Sequence, residues 1–230
     1  MIEARDLVRT YTMGKVQVHA LRGVSLRIGR GEFIGVTGPS GSGKSTLLHL
    51  LGLLDRPTSG AIAIDGVDTG SLTDEQRALF RLTRLGYVFQ EYALVPELTV
   101  FENVMLPFMV RNDPPAASEE KVHEILRIIG LSERTGHLQS ELSGGEQQRV
   151  AVARAVAGKP SILFADEPCA NLDSENSRII LDLFAGINRE MDQTIVMVSH
   201  EDWHTRYFDR IIALRDGKLA ETQYFANSPP

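Results

Sequence analysis

Gly38-Pro39-Ser40-Gly41-Ser42-Gly43-Lys44-Ser45 sets glycines, a lysine and a hydroxyl at a spacing that suits phosphate binding. Glycines let backbone N–H groups wrap a β-phosphate. Lys44 brings positive charge to the β and γ oxygens, Ser45 can place its hydroxyl on Mg²⁺, and Thr46 lies next to the α-phosphate. A second set of chemistry-bearing residues lies at Ile162-Leu163-Phe164-Ala165-Asp166-Glu167, an apolar run that delivers two carboxylates. Asp166 suits the metal and Glu167 could take a proton from an attacking water. Gln90 ends the run Gly86–Phe89, and its amide can touch both a metal shell and a water. His200 ends another apolar run and can hydrogen-bond a γ-phosphate. The chemistry these residues could do together is metal-assisted hydrolysis of a nucleoside triphosphate.

A second glycine-rich element, Leu142-Ser143-Gly144-Gly145-Glu146-Gln147-Gln148-Arg149, lies far downstream of the first. Ser143, Gly144 and Gly145 carry little bulk, so their backbone can approach a ligand closely. From Glu146 to Ala157 the pattern is helical, with Val150, Ala153, Arg154 and Ala157 along one side. A hydroxyl and glycines at a helix start make an anion-binding geometry. Two such helix starts could clamp one phosphate chain from both ends. Ala170-Asn171-Leu172-Asp173 follows Glu167 closely and could place Asp173 near a neighbouring active site. Tyr11 is the only aromatic among the first thirty residues and is a candidate to stack on adenine, with a structural aromatic as the competing reading.

These groups need strands and helices to hold them. Val16 to Ile28 alternates and, with the turn Gly29-Arg30-Gly31, reads as a strand pair. Phe33–Thr37 is a short buried strand running into the first glycine-rich turn, and Lys44–Leu51 a helix. Ala61–Ile64, Gly86–Phe89, Ile162–Ala165, Thr194–Val198 and Ile211–Leu214 read as further strands. Thr73-Asp74-Glu75-Gln76 has a capping-box pattern opening a helix toward Arg84. Between about Glu91 and Gly158 the chain turns helical, with Ser118 expected as a cap and Gly130 as a stop. The picture is an α/β fold: a parallel-sheet nucleotide core, a small antiparallel edge and a helical insertion.

Composition narrows the class. The chain has 230 residues, 43% of them hydrophobic and 23% charged, as in an ordinary globular domain. The longest apolar stretches, within Leu47–Leu54 and Val104–Val110, fall well short of the ~20 residues that span a bilayer. Glu3, Arg5 and Asp6 interrupt any signal-like start, so a cytoplasmic protein is expected, whose membrane role would need another polypeptide. A net charge of −6 argues against broad nucleic-acid binding, and the single cysteine, Cys169, allows no internal disulfide.

Taken as an ordered set, these residues resemble the ATP-binding subunit of ABC transporters. The resemblance covers the chain from Tyr11 to about Gly217. The narrower likeness is to the lipoprotein-release and macrolide-export type, carried by Val18–Leu26, Leu51–Gly60 and Val95–Val104. Cys169 and Ala93 depart from the usual pattern, where threonine and asparagine are common, and Ala93 stands where a membrane partner would be met. The resemblance implies one domain over 1–230 with a P-loop NTPase (RecA-like) core and an N-terminal antiparallel β subdomain at about 1–90 and 159–221. It adds a helical subdomain at about 91–158; the short polar stretch 222–230 beyond it reads as a mobile tail. It implies a head-to-tail homodimer around two ATP with Mg²⁺. Each site would use Gly38–Thr46, Gln90, Asp166, Glu167 and His200 of one chain, with Ser143, Gly144, Gly145 and Glu146 of the other. Tyr92–Met109 would be helical and push on an integral membrane permease from the inner face of the cell membrane. The competing functions are an ABC-type ATPase paired with a division-associated permease, or a soluble DNA-repair or ribosome factor.

Overall fold

The computed structural model describes residues 1–225. Two sheets and two groups of helices build it. The first sheet is antiparallel and contains β1 (Ile2–Met13), β2 (Val16–Ile28), β4 (Ser59–Ile64) and β5 (Val67–Asp68) in the order β2-β1-β4-β5. The second contains β3 (Phe33–Thr37), β6 (Leu85–Val88), β7 (Ile162–Asp166), β8 (Thr194–Val198), β9 (Arg210–Arg215) and β10 (Lys218–Tyr224). Its order is β10-β9-β3-β8-β7-β6, parallel except for the β9–β10 hairpin.

Strands β3, β7 and β8 read as unbroken apolar runs because both of their faces are covered. On one face Ile34, Val36, Phe164 and Val198 pack on α1 (Lys44–Leu51), which lies between the two sheets with Leu21, Ile62 and Ile64 beyond it. On the other face Phe33, Leu163, Ala165 and Met197 pack on α6 (Ser174–Met191) through Ile180, Leu181 and Phe184. α2 (Asp74–Arg84) precedes β6 and opens on the expected capping box, Thr73 with Gln76. A third core joins α3 (Val100–Val110), α4 (Pro115–Ile128) and α5 (Gly144–Ala157) through Val104, Phe108, Val122, Leu126 and Val150.

The structure corrects several expectations. Val16–Ile28 is one strand, not a pair: it pairs with β1 from Met13↔Val16 to Ile2↔Ile28, so the hairpin turn is Gly14-Lys15 and not Gly29–Gly31. Tyr92–Met109 is helical only from Val100. Before it, Asn103 holds a loop, its Nδ2 donating to the carbonyls of Val95, Leu98 and Thr99 and its Oδ1 accepting from Val95 N–H. Ser118 is not a cap. Pro115 starts α4, its missing N–H being harmless there, and Ser118 donates back to the Pro114 carbonyl at 2.9 Å from inside the helix. The tail does not begin at Thr222, because β10 continues through Tyr224, where the Arg210 guanidinium covers the ring at 5.3 Å. Residues 226–230 of that tail lie outside the described residues.

Candidate functional site

Four parallel strands end side by side, and each delivers one of the chemistry-bearing segments. β3 runs into the glycine loop Gly38–Gly43, β6 into Gln90, β7 into Asp166 and Glu167, and β8 into His200. The carboxyl ends of a parallel sheet are where such folds gather ligands.

Gly43 caps α1 with φ 101°, a left-handed conformation that only glycine adopts cheaply. Lys44 follows, 8% exposed, with its Nζ donating to the carbonyls of Gly38 at 3.0 Å and Pro39 at 3.2 Å. Ser45 Oγ donates to Asp166 Oδ1 at 3.0 Å. One helical turn on, His49 Nε2 lies 3.5 Å from Asp166 Oδ2, so α1 addresses both oxygens of that carboxylate. Ser42 Oγ, buried in the loop, has no protein partner, which fits a loop built to close on phosphate oxygens.

Glu167 adopts φ 46°, a left-handed backbone at the end of β7. For a residue with a long side chain this costs on the order of 1–3 kcal/mol and is typical of functional positions. Its N–H donates to the Val198 carbonyl at 3.2 Å, and its Oε2 lies 3.6 Å from His200 Nδ1. His200 Nε2 in turn lies 3.4 Å from Glu201 Oε1. Gln90 is exposed at the neighbouring strand end, and Asn171 Nδ2 donates to its carbonyl at 3.2 Å.

The second helix start lies on α5. Ser143 caps it in a full capping box: its Oγ accepts from Glu146 N–H at 3.3 Å, and Glu146 Oε2 accepts from Ser143 N–H at 2.8 Å. Both glycines sit close against neighbouring side chains. A Cβ on Gly145 would run into Asn176 and one on Gly144 would come within 2.9 Å of Tyr92 Oη. Glu146 thus has structural work: Arg134 Nε bonds its Oε1 at 3.1 Å, and the cap bonds to Ser143 hold its carboxyl below the usual range. Asp173 likewise caps α6, accepting from Asn176 N–H at 2.8 Å, with its carboxyl lowered by the same bonds.

A family model, "ABC transporter", matches residues 21–170, a span that includes the glycine loop, Asp166, Glu167 and the α5 start. The chain belongs to the ABC transporter family. A Methanocaldococcus jannaschii protein described as an uncharacterized ABC transporter ATP-binding protein is 43% identical over 221 residues, 96% of this chain and 98% of that one. The lipoprotein-releasing system ATP-binding protein LolD of Zymomonas mobilis is 42% identical over 96% of this chain and 95% of its own length. The macrolide export ATP-binding/permease protein MacB of Syntrophobacter fumaroxidans is 43% identical over 95% of this chain, which spans 31% of that longer protein. Among solved structures, the dimeric, post-hydrolysis ATP-binding cassette MJ0796 bound to ADP and Pi superposes with a TM-score of 0.91. It is 38% identical and covers 97% of this chain and 98% of its own. The chain is an ATP-hydrolysing ABC subunit, similar to the ATP-binding proteins of lipoprotein-release and macrolide-export systems.

In this ABC ATPase the structure braces Tyr11. Its hydroxyl donates to Asp55 Oδ2 at 2.9 Å, and the Arg9 guanidinium lies 4.4 Å over its ring. Cys169 is buried, which pushes its thiol up to about 12, and its Sγ donates to the Ser177 carbonyl at 3.8 Å. Sequence reasoning misses four residues near the site: His49, Arg154 as a hydrogen-bonding group, Asn171 as the clasp on Gln90, and His204. For His49 a signal exists, since it stands four residues after Ser45 on the same helix.

His204 is 3% exposed and its Nδ1 lies 2.7 Å from Ser199 Oγ, which also accepts from Glu201 N–H at 3.2 Å. This bracket holds the segment that presents His200. Burial pushes the His204 imidazole down to about 4, with His200 and Arg206 adding to the effect against Glu201. Between about pH 6.5 and pH 4 the unfolded chain therefore binds a proton here that the folded chain does not. The contribution to stability is complete above that window and is lost as the pH falls through it. Urea unfolding of the wild type should lose more stability between pH 7 and pH 4.5 than that of His204→Leu; parallel losses would refute this.

Proposed function

We propose that two copies of this chain close head-to-tail on two ATP molecules, hydrolyse them, and so drive a separate membrane permease of the lipoprotein-release or export type. The carrying observation is the Ser45–Asp166 contact at 3.0 Å with strained Glu167 as the next residue and His200 beside it. Gly38, Pro39, Ser40, Gly41, Ser42, Gly43, Lys44 and Thr46 cradle the phosphates in this reading, and Tyr11, braced by Asp55, offers its ring to adenine.

The donor set suits Mg²⁺. Ser45 and Asp166 are hard oxygen donors, and no cluster of three or more His, Cys, Asp or Glu side chains exists among the described residues to favour a softer or fully caged ion. Ser45 and Asp166 would hold the ion, with Gln90 reaching toward it from β6; when bound, it neutralises phosphate charge. Glu167 takes the proton of the attacking water, and His200 donates a hydrogen bond toward the γ-phosphate. Ser143 to Gly145 serve the other copy's ATP. Their helix start lies on α5 in the helical subdomain, and in this reading a two-fold pair brings each start to a partner's phosphates. Glu146 and Asp173 contribute there by holding the two caps.

No helix among the described residues is long and apolar enough to cross a membrane. A groove offers a docking surface for a permease instead. It encloses about 320 Å³ between α3 and the β6 side of the core, lined by Leu82, Tyr87, Phe89, Leu106, Pro107 and Val110. Val110 is 60% exposed at its mouth and Met109 61% exposed beside it. In this reading the chain sits on the inner face of the membrane, and its contact surface is the groove and α3 more than the Tyr92–Leu98 loop. The test is co-purification of the tagged chain with membrane proteins from native membranes. Val110→Glu should reduce recovery of the permease about tenfold or more while ATP turnover of the isolated chain changes less than about twofold. Unchanged recovery would remove the groove from the reading.

A further inference from the structure

We propose that Arg154 is a positioning residue that ties the Gln90 loop to the helix carrying Ser143–Gly145. Arg154 lies on α5, ten residues beyond the helix start, and its side chain crosses to the segment after β6. Its Nη1 donates to the Ala93 carbonyl at 2.7 Å and its Nη2 to the Tyr92 carbonyl at 3.1 Å. Both acceptor residues have left-handed backbones, Tyr92 at φ 59° and Ala93 at φ 51°. Two consecutive residues with side chains in that region persist only where the surroundings hold them. The forked guanidinium supplies two charge-assisted bonds to adjacent carbonyls, which fixes the turn and not merely its position.

The other contacts of the loop point the same way. Asn171, from the segment after Glu167, holds the Gln90 carbonyl, and Tyr92 Oη packs against Gly144 at the α5 start. Arg154 also lines the apolar groove beside Phe89, Leu106 and Pro107. One residue of the helix proposed to serve the partner's ATP thus reaches the turn after Gln90 and lines the groove. This rests on the proposed roles of Gln90 and Ser143. A displacement in the groove moves both half-sites together through Arg154.

The test uses the full purified chain. Arg154→Met keeps the alkyl stem against the groove and removes both bonds. It should lower kcat about tenfold or more with KM and equilibrium ATP binding within about twofold. Ala93→Gly, which relieves the left-handed turn, should restore at least about a third of the lost rate in the Arg154→Met background. Wild-type kcat in Arg154→Met, or a loss that Ala93→Gly does not repair, overturns the proposal. Gln90→Ala separates the two levels. If it turns over ATP at the wild-type rate, the role of Gln90 fails and this proposal with it. If it is impaired while Arg154→Met is not, only the link through Arg154 fails.

Discussion

Replacing Glu167 by glutamine should stop ATP turnover and leave ATP binding in place. The expected loss in kcat is about 10²–10⁴, the range that a positioned general base contributes. Strand β7 is an apolar run buried on both faces and held by packing on either side. That packing sets Asp166 against Ser45 at 3.0 Å and forces the turn in which Glu167 takes φ 46°. Glutamine keeps the length, the backbone demand and the contact toward His200, but its amide cannot accept the proton of an attacking water. In the proposed site nucleotide binding rests on the glycine loop and Lys44, which the substitution does not touch. Single-turnover hydrolysis measured beside equilibrium binding of a fluorescent ATP analogue separates the two effects. Hydrolysis at the wild-type rate would remove Glu167 from the role of base.

Much of this site is legible in the sequence because its parts are local. A glycine loop between a strand and a helix, two carboxylates at the end of an apolar run, and a Ser-Gly-Gly helix start each declare themselves within eight residues. What the sequence hides is mostly contact between distant segments. Arg154 reads as one member of a helix face, yet its guanidinium leaves that face for carbonyls 61 and 62 residues earlier. The 2.7 Å contact of His204 with Ser199 has no pattern in a single sequence. α6 escapes the sequence reading although its Asp173 cap and its Ile180, Leu181 and Phe184 face are regular. Asp173, expected near a neighbouring site, also caps α6, accepting from Asn176 N–H. β1 and β10 are missed or cut short because polar residues interrupt them: pairing with β2, β4 and β9 completes what their own composition only suggests. The Tyr92–Leu98 loop reads wrongly as helix because its apolar residues resemble a helix face. Asn103, by satisfying that loop's backbone groups from inside α3, gives it a stable alternative.

The α5 start yields the second large effect. Ser143→Arg should abolish ATP-driven dimerisation while the monomer still binds ATP within about twofold of wild type. The substitution removes the cap hydroxyl and sets a long side chain where the helix start would meet a phosphate. The local cost is modest, about 1 kcal/mol for a lost cap, because Glu146 retains its bond from the backbone N–H at position 143 and its pair with Arg134. Ser143 itself is exposed, while Tyr92 stands against Gly144 and Asn176 against Gly145 on the inner side. The new arginine side chain therefore has to project outward, into the space a partner would occupy. The measurement is light scattering with ATP in a Glu167→Gln background, where ATP is not consumed. With Ser143 in place that background should give a dimer, and with Ser143→Arg added a monomer, at the same protein concentration. The charge of the new side chain helps to interpret the result, since a guanidinium attracts phosphate. A loss of dimer in spite of that attraction identifies steric closeness and hydrogen-bond geometry as what the half-site offers. A dimer that survives the substitution would place the second phosphate contact elsewhere and return Ser143 to the role of an ordinary helix cap.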